Sequence, residues 1–215
     1  MFDKSRKAAS GLSFFSSEIL DEMADVIIAI RPYSGSRRRG ETSPEGKHIT
    51  IREDMRPTFR FDSSMPETKI DEICLAAAQS TMNHEAIGHA YFIHKGEGPA
   101  YVLKWTMNLI GLQREFEEAL EKYHRKIDGK KVVDYNLLAG DPALSQAVVF
   151  ANLLEEERAV CTEYWLSLQS NSYEWKLMRD VAIIESKEKL EPLRRLELQS
   201  PFGHEMIKEF RNLYV

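Results

Sequence analysis

The chain has 215 residues and very little cysteine. Cys74 and Cys161 are the two thiols, and no Cys-x-x-Cys pair exists. A thiolate zinc site and a dithiol redox motif are therefore excluded. Both cysteines fall inside apolar helical patterns, so buried free thiols are expected, with an inter-helix disulfide as the alternative. No run of 18 apolar residues occurs, which leaves no candidate for a membrane span. The basic N-terminus (Lys4, Arg6, Lys7) has no continuous apolar stretch behind it. That argues against a cleaved secretory signal, and a cytoplasmic protein or one exported without such a peptide is expected. An excess of positive charge is also missing: the formal net charge is −5, so nucleic acid is not an expected partner. The one basic cluster, Arg37-Arg38-Arg39, lies in a Ser/Gly-rich stretch and reads as a solvated loop.

What is present fits an ordinary globular protein. Apolar residues make up 43% and charged residues 29%. The length suits a single domain spanning residues 1–215. Asp25 to Ile30 and Lys47 to Arg52 read as strands, Thr58 to Phe61 as a further candidate, and about 33–46 as a mobile loop. From Ser64 the pattern turns helical. Ser64-Met65-Pro66-Glu67 has the form of a capping box. A stripe at Ile70, Ile73, Cys74, Ala77 and Thr81 predicts a helix to about His94. Further helices are expected over Ala100 to Tyr123, from Asp141-Pro142 through Trp165, over Tyr173 to Leu190, and near Glu205 to Leu213. Asp128-Gly129-Lys130-Lys131 reads as a turn. The expected fold is α+β and mostly helical, with a small N-terminal sheet packed on a long helix.

The segment with chemical content is Asn83-His84-Glu85-Ala86-Ile87-Gly88-His89-Ala90. Zinc peptidases place two neutral imidazoles on one side of a metal and a carboxylate beside its water. In H-E-x-x-H the histidines at i and i+4 share one helix face. Here the spacing is i to i+5. On a regular helix five steps rotate by about 500°, so the second ring would point roughly 140° away from the first. A π-turn accommodates one extra residue, and such turns concentrate at functional sites. A π-bulge is therefore predicted across Glu85 to His89, with Gly88 easing the irregular backbone.

A second segment, Leu153-Leu154-Glu155-Glu156-Glu157-Arg158-Ala159-Val160, carries three acids in an otherwise apolar helix. Consecutive helical residues point about 100° apart, so at least one carboxylate must face the side of Val149, Leu153 and Val160. Glu156 shares that side, and a buried carboxylate needs a partner such as a metal. Glu155 and Glu163 are alternatives for the ligand. Arg158 pairing with Glu155 or Glu157 is the structural reading of the cluster.

These two stretches, H-E-x-x-G-H and E-E-x-R-A, resemble the paired motifs of dipeptidyl peptidase III. The resemblance implies zinc held by His84, His89 and Glu156, with Glu85 as catalytic acid/base. The chain is far shorter than that two-lobed family, and Val160 stands where the family has another acid. H-E-x-x-H-A and E-E-x-R-T helices occur in small zincin effectors and toxins of bacterial pathogens. The size, the short strands and His89-Ala90-Tyr91 are similar to those, apart from the extra residue between the histidines. The expected activity is zinc-dependent hydrolysis of a protein or peptide substrate, as an endopeptidase rather than an exopeptidase. His204, in Pro201-Phe202-Gly203-His204, is the candidate for stabilising the oxyanion, with Tyr173 and Tyr214 behind it. His94 follows on the same helix and is not expected to fold back to the metal. His48 and His124 read as surface or structural histidines. The segment His48 to Arg52 is nominated as the edge strand that receives substrate. Two competing readings stand beside this one. A di-iron carboxylate site would need a Glu-x-x-His pair on a second helix, which is missing. A helical binding protein without metal would leave the histidines structural.

Overall fold

The computed structural model describes residues 17–32, 38–127, 129–168, 172–199 and 201–213. In chain order the helices and strands are α1 (Ser17–Glu22), β1 (Ile27–Arg31), β2 (Gly40–Thr42), β3 (His48–Arg52) and α2 (Glu67–Asn83). A π-helical segment (His84–Ala90) follows, then α3 (Tyr91–His94), α4 (Pro99–Leu109), α5 (Gln113–Lys122), and the strands β4 (His124–Ile127) and β5 (Lys130–Val133). The chain ends with α6 (Tyr135–Ala139), α7 (Ser145–Ser167), α8 (Tyr173–Lys189), α9 (Glu191–Gln199) and α10 (Pro201–Asn212). The class is α+β and mostly helical. No helix among the described residues is long and apolar enough to cross a membrane.

The chain divides into two compact units. The first holds residues up to Lys95 together with Ala159–Lys189. Its sheet has the order β1-β3-β2, with β1 parallel and β2 antiparallel to β3. Ile49 and Ile51 alternate out of β3 onto one face and are buried against Ala77, Met82, Ala86 and Ala90 of the long helix. Trp175, Met178 and Val181 of α8 complete this core. The second unit holds Gly96–Arg158 and Leu190–Val215. Its core joins Val102, Leu103, Phe116, Leu138, Val148, Leu154, Leu193, Ile207 and Phe210. The helix α7 is unbroken across the boundary, which falls between Arg158 and Ala159.

Several expectations are corrected. Glu41 and its neighbours are not loop: Gly40–Thr42 pairs with β3, while residues 33–37 lie outside the described residues. Thr58 ends a 3₁₀ turn (Arg56–Thr58), and no strand follows over Phe59 to Phe61. The capping box does not form: Ser64 Oγ donates to Asp62 Oδ1, and α2 starts after Pro66 with no side-chain cap. The helix expected over Ala100 to Tyr123 is two helices. Gly111, at φ 75°, ends α4, and the Leu112 N–H returns to the Met107 carbonyl at 2.8 Å, closing a Schellman-type turn. The helix expected from Asp141 starts at Ser145, because Asp141 first caps a turn by accepting from the Ala143 N–H at 2.9 Å. The expected Asp-Gly turn joins β4 to β5, with its first residue outside the described set, and Gly129 sits at φ 78°. The helix α9 was not anticipated. Cys161 is exposed and Cys74 buried, and both are free.

Candidate metal centre

The i to i+5 spacing takes the form predicted for it. His84–Ala90 is π-helical and all seven residues are buried. The Tyr91 N–H donates to the Ala86 carbonyl, five residues back. Across this turn His84 Nε2 and His89 Nε2 stand 3.1 Å apart. The two rings meet edge to face, with centroids at 4.8 Å.

Glu156 joins them from α7. One ligand atom from each of His84, His89 and Glu156 lies within 4.8 Å of the others. Four residues on α7 explain how the acid cluster is handled. Glu157 is buried and accepts from Arg211 Nε at 3.0 Å. Burial lowers the affinity of that guanidinium for its proton, but the hydrogen bonds it donates to Glu157 and Glu197 outweigh it and hold the pKa above its ordinary value. Glu155 is buried and stands 3.8 Å from Arg158, whose Nη1 donates to the Glu97 carbonyl at 2.6 Å. Glu156 is the half-buried member of the three. The acids do not all follow the expected side, since Val149 is 56% exposed while Val160 is buried.

Glu163 has a different place from the one expected. It lies two turns beyond Glu156 on the same face of α7, is 2% exposed, and brings Oε2 to 3.3 Å from His84 Nδ1. Ser80 Oγ donates to its other oxygen. The two atoms stand at ion-pair distance, and a carboxylate beside Nδ1 favours the tautomer protonated there, which would leave the Nε2 lone pair toward His89 and Glu156. Glu163 would therefore orient His84 toward a metal. Lys189, the last residue of α8, donates through Nζ to His84 Nε2 at 3.3 Å. Sequence reading missed this lysine: it is 105 residues from His84 and carries no local motif.

No family model, curated protein or solved structure matches the chain. The chemistry of the site must carry the functional reading.

Two close approaches build the site. An added Cβ at Gly88 would meet Ala159 Cβ at 2.6 Å and Ala159 Cα at 2.8 Å. The glycine of H-E-x-x-G-H and the alanine of E-E-x-R-A thus let the π segment and α7 pack backbone to backbone. Gly88 has no positive φ, so closeness rather than unusual backbone is what requires it. An added Cβ at Gly40 would meet Glu85 Cγ at 2.9 Å and Thr81 Cγ2 at 2.6 Å, so β2 lies directly on the Glu85 side chain. Glu85 is buried, and Thr42 Oγ1 donates to its Oε2 at 2.7 Å.

Among the other nominated residues, His94 Nε2 stands 3.3 Å from the Gly46 carbonyl oxygen and takes no part in the group. His48 is exposed on β3, and His124 Nδ1 stands 3.1 Å from the Glu121 carbonyl oxygen. His204 lies in the second unit, with its side chain 54% exposed and Nδ1 3.9 Å from Glu197. Tyr173 is exposed and donates to Glu72 Oε2 at 3.0 Å; Tyr214 lies outside the described residues. The nominated substrate strand, His48–Arg52, is the central strand, and its hydrogen-bonding edges are taken by β1 and β2. The edge strand beside the π segment is β2. Arg38 pairs with Glu41 at 2.7 Å, and Arg39 packs over Phe59 at 4.2 Å.

The donor set, two imidazoles and a carboxylate, could hold a divalent metal ion. Two imidazoles and one carboxylate are a known three-ligand combination for catalytic zinc. Two nitrogens held at about 2.0–2.1 Å from a tetrahedral zinc lie about 3.3 Å apart. The histidine nitrogens are already close to that separation.

Proposed function

We propose that this chain is a zinc-dependent peptidase acting on a protein or peptide substrate. His84, His89 and Glu156 would hold the metal, and Glu85 would be the acid/base. The observation that carries the reading is the pair of Nε2 atoms 3.1 Å apart across a π turn, with the Glu156 carboxylate beside them. A rare backbone form placed at two histidines and an acid is hard to explain as packing alone.

Zinc in that position supplies Lewis acidity, activating water and polarising a carbonyl. The rest falls to the protein. Glu163 keeps His84 in the tautomer that offers Nε2. Glu85 accepts the proton of the attacking water and passes it to the leaving amine. Thr42 holds the Glu85 carboxylate in place. Among the described residues β2 pairs with β3 alone, and its other edge would receive an extended peptide. The di-iron reading finds less support: among the described residues there is one metal-capable group, and it includes no histidine from a second helix.

The test is elemental analysis of the purified protein beside His84→Ala, Glu156→Ala and Glu85→Ala. About one zinc per chain is expected in the wild type and in Glu85→Ala, with loss in the other two. Hydrolysis of a quenched-fluorescent peptide library should disappear in Glu85→Ala. A wild type that takes up no zinc from excess would overturn the reading and favour a helical binding protein. Peptidase activity surviving in Glu85→Ala would overturn the role of Glu85.

A further inference from the structure

Resting on the zinc-peptidase reading, we infer that Lys189 is the catalytic residue that stabilises the oxyanion formed at the attacked carbonyl. A hydrogen-bond donor aimed at the developing negative charge, beside the metal, would stabilise the transition state of such a hydrolysis. The sequence nominated His204, but its side chain is 54% exposed and its Nδ1 stands 3.9 Å from Glu197.

Lys189 belongs to the same unit as both histidines. The ring of His84 separates two environments. On the Nδ1 side stands Glu163, buried and bonded to Ser80. On the Nε2 side stand His89 and the Nζ of Lys189. The ammonium is therefore on the ligand side of the imidazole, at 3.3 Å from a nitrogen whose lone pair a metal would take. When a metal takes that lone pair, the ammonium must yield it, but its stem roots it at the same place. Lys189 is the final residue of α8 and is exposed, so its four-carbon chain can swing toward an entering substrate without repacking the core. There it donates a hydrogen bond to the carbonyl oxygen as negative charge builds on it. The lysine donates a hydrogen bond only, while Glu85 carries the proton from water to the amine. Three N–H donors on a flexible stem suit a target that moves as the carbonyl carbon becomes tetrahedral.

The test uses Lys189→Met, which keeps the length and removes the charge, and Lys189→Arg, which keeps the charge. Wild type and both variants are loaded with cobalt as a spectroscopic stand-in for zinc, and inorganic phosphate is the probe for a tetrahedral oxyanion. Metal content should be the same in all three. Phosphate affinity, followed by the visible absorption of cobalt, should fall about tenfold or more in Lys189→Met, the effect of losing one charge-assisted hydrogen bond. Lys189→Arg should stay within about threefold of wild type. On the peptide library, kcat should fall in Lys189→Met with KM little changed. Equal phosphate affinity in wild type and Lys189→Met, with metal bound in both, overturns the inference and leaves the peptidase reading standing. Loss of metal from Lys189→Met alone also overturns it, because the lysine would then be building the ligand set. Failure of the wild type to bind metal overturns both.

Discussion

Replacing Gly88 by alanine puts a methyl group where Ala159 already is. The new Cβ would sit 2.6 Å from Ala159 Cβ and 2.8 Å from its Cα. Carbon atoms in ordinary contact are about 3.5–4.0 Å apart, so the π segment and α7 must separate by about 1 Å. Overpacking of this kind costs about 1–3 kcal/mol. Alanine gains roughly 0.5–1 kcal/mol over glycine within a helix, which offsets part of it. A net loss of about 1 kcal/mol, and at most about 2.5 kcal/mol, remains; a loss of about 1 kcal/mol is a fall of about 2–4 °C in Tm for a chain of this size. The larger effect should be on zinc. Glu156 is three residues from Ala159 on the same helix, so it moves with it, and metal–ligand distances tolerate only about 0.2 Å. Zinc affinity, measured by competition with a chromophoric chelator, should fall about 100-fold or more. Adding Ala159→Gly removes the shorter contact and leaves the 2.8 Å one, so the double variant should recover part of that affinity. A Gly88→Ala protein that melts at or above the wild type and binds zinc as tightly would refute the close-approach account. If only backbone freedom mattered at Gly88, Ala159→Gly would restore nothing.

Glu163→Gln keeps the shape but takes the charge from His84 Nδ1; zinc affinity should fall about 10–100-fold, and an unchanged affinity would mean the carboxylate serves only packing. Thr42→Val removes the donor to Glu85 Oε2; zinc content should stay at the wild-type level while kcat drops about tenfold, and Thr42→Ser should restore it. Equal activity in all three proteins would show that Glu85 needs no tether. Chelation of the wild type should lower its Tm, and restored zinc should raise it again as binding stabilises the folded state; Tm values indifferent to metal would count against a site made in the native fold.

The parts of the site legible in the sequence are those set by local geometry. A spacing of five between two histidines on a helix leaves few ways to bring the rings together, and the π turn follows from rotation per residue alone. The acid run is similar: three consecutive helical acids cannot all reach solvent from an apolar helix. Which acid faces the histidines was not local information, because it depends on Arg211 and Arg158 claiming Glu157 and Glu155. Glu163 carried a usable signal, since a spacing of seven from Glu156 returns to the same face, but its position on the far nitrogen of His84 depends on how α7 crosses α2. Lys189 had no signal short of the tertiary packing. The strand β2 hid in a Ser/Gly-rich stretch because three residues are too few for alternation to register, and the break in the second long helix hid because Leu109, Leu112 and Phe116 keep helical spacing across Gly111. In both places a glycine marks the event: Gly40 where β2 meets Glu85, and Gly111 where the chain turns.

The π turn also sets a length rule for this helix. One residue removed between His84 and His89 would restore the common spacing and still align both rings on a regular helix. Five steps of the wide turn rotate by nearly the same angle as four steps of a regular helix, so the residues after the site would keep their phase, with Ala90 still toward Ile49 and Ile51 and His94 toward the Gly46 carbonyl. The additional residue is absorbed within the one turn, and its consequence is local. Removing Gly88 would set Ile87 directly before the second histidine, where α7 approaches too closely for a side chain. The usual, shorter motif would therefore fit this protein only with a small residue in front of that histidine.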